Sequence, residues 1–129
     1  MKEIIKKIGG LVSAINAEQG QLSFFALALR EDAFVWDLLV AAQWIDEDQR
    51  QALDYLTKRV QSVLTKQELL KISAIILLRH EYYTEGTILK SEFGWEESDI
   101  DLYGITVQKA YIFVAPDVEF KMGPVSVNT

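Results

Sequence analysis

The segment Leu22 to Ile45, LSFFALALREDAFVWDLLVAAQWI, constrains the fold more than any other stretch. It holds two short apolar runs separated by a charged break, Arg30-Glu31-Asp32. From Phe24 to Leu29 both parities are apolar. Phe25, Leu27 and Leu29 fall on one side; Phe24, Ala26, Ala28 and Arg30 fall on the other. From Trp36 to Ala42, the residues Trp36, Leu38, Val40 and Ala42 oppose Asp37, Leu39 and Ala41. Strands that are apolar on both faces are central in a sheet or covered on both sides. A buried helix is the competing reading, because Ala and Leu are strong helix formers. The shortness of each run and the charged break favour two strands. The break lacks Asn-Gly and Asp-Gly, which points to a hairpin loop longer than two residues. The alanine face would let a helix approach closely.

Helical patterns flank this pair. Over residues 2–19, Ile4, Ile5, Ile8, Leu11, Val12 and Ile15 form one apolar stripe, opposed by Gly9 and Gly10, which favour a bend or a close neighbour. Gly20 is placed to end that helix. Asp46 with Gln49 resembles a capping box, and Ala52, Leu53, Leu56, Val60, Val63 and Leu64 then mark a helix over about 47–64. Thr65 with Glu68 makes a second box, opening a short helix over 66–71. Ile72 to Leu78 reads as a buried strand. Strand, helix, helix and strand from Trp36 to Leu78 make a crossover unit, right-handed if the two strands run parallel.

The later chain is less regular. Gly86 suggests a break, Thr87 to Phe93 a short helix ended by Gly94, Glu96 to Asp99 a loop, and Ile100 to Tyr103 a brief strand. Ile105 to Ala115 is a strong strand stopped by Pro116. The tail from Asp117 alternates Val118, Phe120 and Met122 against Glu119 and Lys121, as an edge strand or extended arm would. The sum is an α/β (or α+β) single domain over 1–129. It has a mixed sheet of about four to five strands, an N-terminal helix and a helical crossover (47–64, 66–71) packed on the sheet.

The 129 residues suffice for one core without disulfides or metals, and there are no cysteines to supply thiolate chemistry. No signal peptide pattern and no apolar run of ~20 residues is visible, so a cytoplasmic protein without membrane attachment is expected. A net charge of −6 disfavours nucleic-acid binding. The best local basic patch is Lys2, Lys6 and Lys7, for which a solvated helix face is the plainer reading.

No motif names a chemistry. His80, the single histidine, follows the Ile72–Leu78 strand between Arg79 and Glu81. A histidine at the carboxyl end of a parallel strand could serve as a general base, although a structural role is the plainer reading. Asp37, an acid one residue into an apolar strand, needs a partner, a strand end or water. Asp46, Glu47 and Asp48 are explained by helix capping. Glu92, Glu96, Glu97, Asp99 and Asp101 lack calcium-loop spacing. A nuclease-like pairing of Asp99 or Asp101 with Lys109 fails because Val107 occupies the position where an acid is needed. No serine has an evident partner base. No cofactor or metal site is expected.

Two functional classes remain. The first is a non-enzymatic protein-interaction module that self-associates, as a homodimer, through Val118, Phe120 and Met122. The alternative is a small-molecule-binding protein or small enzyme with a crevice near Asp37, Arg79, His80 and Tyr82.

Overall fold

The computed structural model describes residues 1–80, 88–102 and 105–116, without the side chains of Glu92, Leu102 and Ile105. The chain runs α1 (Lys2–Gly9), α2 (Leu11–Glu18), β1 (Leu22–Arg30), β2 (Trp36–Ala42), α3 (Gln43–Glu47), α4 (Gln49–Val63), α5 (Lys66–Leu69), β3 (Ile72–Leu77), β4 (Ile88–Leu102) and β5 (Ile105–Pro116). Among the described residues the strands form one mixed sheet in the order β3-β2-β1-β5-β4. β2 and β3 run parallel, and the other neighbours are antiparallel. The result is a single mixed α/β domain.

The two apolar runs are the centre of that sheet. Every residue of β2 is buried, and β1 is buried from Leu22 to Ala28. The two parities of the sequence become two cores. Phe25, Leu27, Trp36, Leu38, Val40 and Ala42 meet the helices, packing with Ile4, Ile8, Ile15, Leu56 and Val60. Phe24, Ala26, Ala28, Leu39 and Ala41 join Ala110, Ile112 and Ala115 on the opposite face. No residue of a described helix enters that second cluster, so the alanine face does not receive a helix among the described residues. Its small side chains instead pack with Ile76, Leu78 and Trp95.

The helices are shaped by their ends. The 2–19 stripe divides at Gly10 into α1 and α2, and Gly20 then turns the chain into β1 with a φ of 129°. The Asp46–Gln49 capping box does not form. Asp48 is the cap of α4, its Oδ1 accepting from Gln51 N–H at 3.1 Å. Asp48 is extended where Asp46 is already helical, so only Asp48 can turn its carboxylate back on the first free N–H groups. The Thr65–Glu68 box forms in full. Its helix ends at Leu69 rather than residue 71, where Lys71 C=O instead accepts from Trp36 N–H at 2.7 Å.

Two further expectations are corrected. The Ile72–Leu77 strand is an outer strand of the described sheet, with Ser73 and Ala74 exposed, and is not fully buried. Residues 88–93, expected in a helix, and 96–99, expected in a loop, both belong to β4. The register of β4 on β5 shifts between Lys90 and Trp95. Gly94, at φ 70° inside that shift, absorbs the irregularity. A glycine and an acidic run imitate a loop when the strand is bulged and its outward face is wet.

The β1–β2 connection spans residues 31–35, with Asp32 left-handed at φ 64° and Ala33 N–H donating to Arg30 C=O at 3.1 Å. Aspartate is one of the few non-glycine residues that enters this region readily. None of the described helices is long and apolar enough to cross a membrane.

Candidate functional site

The parallel pair β2 and β3 ends on one side of the sheet, and a crevice opens there. Gln43 and Trp44 follow β2, His80 follows β3, and Ser23 is the second residue of β1. These residues, with Gln19 and Glu47, line a depression of about 500 Å³. That volume lies within the usual range for small-molecule sites, about 300–1,000 Å³. Its place, beyond the carboxyl ends of parallel strands, is where open α/β sheets hold ligands.

The floor is built by a bulge. Leu22 pairs with Ala42 and Phe24 pairs with Ala41, so Ser23 has no opposite number in β2. A bulge re-aims side chains and locally strengthens the twist. Here it sends Ser23 Oγ to His80 Nδ1, 3.0 Å away. Ser23 is only 3% exposed. Its hydroxyl therefore acts on the imidazole rather than presenting a reachable nucleophile to an incoming substrate. The backbone fixes the same residue from the other side: His80 N–H donates to Asp46 Oδ2 at 3.1 Å. Asp46, freed from capping, ties the segment after β3 to α3.

The walls are also held. Asn16 Oδ1 accepts from Leu22 N–H at 2.8 Å and secures the turn into β1. Trp44 stands edge-on to Tyr55 with ring centroids 5.8 Å apart. A side chain at Gly20 would touch Trp44 Cδ1 at 3.4 Å. The Trp44 indole N–H is buried without a hydrogen-bond partner among the described residues. Behind Trp44, Glu18 joins α2 to α4 by accepting from Tyr55 Oη and from Arg59. The Tyr55 hydroxyl and the Arg59 guanidinium hold the Glu18 carboxyl below its ordinary range. Burial, and then the Glu18 carboxylate, push the Tyr55 phenol up.

The residues singled out in the sequence do not converge on one place. His80 lines the crevice. Arg79 precedes it, is exposed, and is not part of the lining. Asp37 lies near the start of β2, about 20 Å from Gln43 at ~3.3 Å per strand residue. It is 3% exposed and accepts from Arg30 Nε at 2.7 Å, while its Oδ1 has no partner among the described residues. The β1–β2 hairpin brings Arg30 to that carboxylate, which makes the pair a brace of the hairpin end. Tyr82, Val118, Phe120 and Met122 lie outside the described residues. Nothing in the sequence singles out Ser23, Gln43, Trp44 and Asp46 as a site. They meet His80 only after α3 and the Ser23 bulge are in place, and neither is signalled by periodicity. Among the described residues no group of three or more His, Asp or Glu side chains is placed to hold a metal.

No protein-family model, curated protein or solved structure matches this chain.

Proposed function

We propose that this protein is a small-molecule-binding domain and that the crevice around His80 is its binding site. The observation that carries this reading is the Ser23–His80 contact at the floor of the ≈500 Å³ crevice. A histidine held at Nδ1 by a buried hydroxyl, and at its backbone by a carboxylate, is fixed in orientation. A fixed polar group inside a partly apolar concavity is how ligand sites obtain specificity. Binding fits the arrangement better than catalysis, since the only hydroxyl in contact with His80 among the described residues is buried.

The Trp44 indole N–H is a direct reporter. Protein-observed NMR, with that resonance assigned by Trp44→Phe, is expected to show saturable shifts with some members of a chemically diverse small-molecule set. His80→Ala is expected to weaken those ligands about tenfold or more, the scale of one lost charged or well-fixed hydrogen bond. A set that leaves the Trp44 resonance unmoved at millimolar concentration would refute the reading.

A second reading is protein interaction with self-association, and one feature supports it. Phe34 is 96% exposed and Leu70 77% exposed. Both lie at the start of the parallel pair, where Trp36 N–H meets Lys71 C=O. Exposed apolar clusters mark contact surfaces. Under this reading Phe34→Glu lowers the oligomeric mass seen by sedimentation while thermal stability is kept. An unchanged mass would remove the reading's support.

A further inference from the structure

The three lysines of α1 have different fates. Lys7 is committed: its Nζ bonds Glu68 Oε1 at 2.8 Å. Lys2 and Lys6, one helical turn apart, have no ion pair among the described residues. They stand at the rim of a second groove, of about 410 Å³, which shares no lining residue with the His80 crevice. Ile5, Phe93 and Tyr111 give the groove an apolar lining, and Glu3 is also part of it. Phe93 is 73% exposed. An aromatic ring left in water beside two unpaired ammonium groups is an unusual use of surface in a chain whose net charge is −6.

From this arrangement we infer that the groove between α1 and β4 binds a single-chain anionic amphiphile, with a carboxylate at Lys2 and Lys6 and an apolar tail against Ile5, Phe93 and Tyr111. Each part of the ligand answers a part of the groove. Lys2 and Lys6 lie at i and i+4 and so project from one side of the helix. Among the described lining residues two ammonium groups stand against one carboxylate, Glu3, and the Glu96 carboxylate beside Tyr111 is paired with Lys109, so the charge there favours an anion over a neutral or cationic head group. The apolar lining removes tail methylenes from water, and each one buried tightens binding by about fourfold. The concavity is of small-molecule size and α1 has only eight residues, so the occupant is a dissolved molecule rather than a bilayer. Tyr111 contributes its ring rather than its charge. Burial, and then the Glu96 carboxylate that accepts its hydrogen bond, hold the phenol above its ordinary range.

Isothermal titration calorimetry with hexanoate, octanoate and decanoate, each below its critical micelle concentration, tests the inference. The expected result is saturable one-to-one binding that strengthens about fourfold per added methylene. Decanol should bind at least tenfold more weakly than decanoate. Lys2→Gln with Lys6→Gln should erase the difference between acid and alcohol, and Phe93→Ser should flatten the dependence on tail length. Both changes are at solvent-facing side chains, and circular dichroism reports whether the fold is kept. Equal binding of acid and alcohol by the unaltered protein would overturn the inference, as would binding that the Phe93 variant retains in full. Association seen only with anionic vesicles, and not with dissolved decanoate, would overturn it in favour of a membrane surface.

Discussion

Ser23 Oγ lies 3.0 Å from His80 Nδ1, joining residues 57 positions apart across the mouth of the parallel strand pair. The contact depends on the bulge that leaves Ser23 unpaired with β2. Ser23→Ala is expected to cost about 1 kcal/mol, the net value of one ordinary hydrogen bond. It should also release the ring, so that the His80 ¹⁵N shifts move from those of one tautomer to an exchange average. Urea unfolding and ¹⁵N NMR read the two effects separately. Unchanged ¹⁵N shifts would show that the hydroxyl does not orient the imidazole.

At the other end of β2, Asp37 is a buried carboxylate whose shown partner is Arg30, itself half exposed. Removing the arginine leaves a charge in an apolar setting. Arg30→Met should therefore cost about 1–3 kcal/mol, less than a fully buried pair because water reaches the guanidinium. Asp37→Asn should cost less than that. The double variant should be more stable than the sum of the two single losses implies. A double-mutant cycle by chemical denaturation measures the coupling, and additive losses would mean the pair contributes nothing.

Gly94 lies in the bulged part of β4 at φ 70°, and a Cβ there would come 3.0 Å from Phe113 Cε1. Gly94→Ala combines left-handed strain of about 1–2 kcal/mol with a clash against a fully buried ring. A loss of at least about 2 kcal/mol is expected in thermal or urea unfolding. A neutral outcome would place the β4 irregularity elsewhere.

These sites mark how far the sequence could be read. The two faces of β1 and β2 follow from alternation alone, since parity sends Phe25, Leu27 and Leu38 to one core and Phe24, Ala26 and Leu39 to the other. The Thr65–Glu68 box is legible because both partners are three residues apart. β4 is not legible in this way: it is an outer strand whose acidic neighbours Glu96 and Glu97 point to opposite faces and break the apolar alternation, and Gly94 serves a bulge where a helix stop is expected. The crevice was half legible. His80 could be placed after a strand, but Ser23 reaches it through a bulge, and Asp46 by failing to cap a helix. Neither event leaves a local signature.

Acid should loosen the helical layer. The Lys7 ammonium, and then the Thr65 backbone N–H, hold the Glu68 carboxyl below its usual value of 4.5, and Tyr55 and Arg59 do the same for Glu18. A carboxyl whose folded pKa is depressed binds fewer protons in the native state. Its stabilisation is present above the unfolded value and is lost as pH falls through the folded one. Stability should therefore be level above about pH 5 with respect to these two groups and should decline below about pH 4.5. Glu68→Gln with Glu18→Gln should shallow that decline. An acid limb of unchanged slope in the double variant would assign it to other carboxyls.

The crevice is tested as a binding site by native mass spectrometry after incubation with a mixed library of small molecules that leaves out anionic amphiphiles, the class assigned to the α1–β4 groove. The unaltered protein is compared with Gln43→Trp, in which an exposed lining side chain is enlarged to fill the space. A discrete added mass is expected on the unaltered protein and not on the variant. No adduct on the unaltered protein, or the same adduct on both, would contradict it.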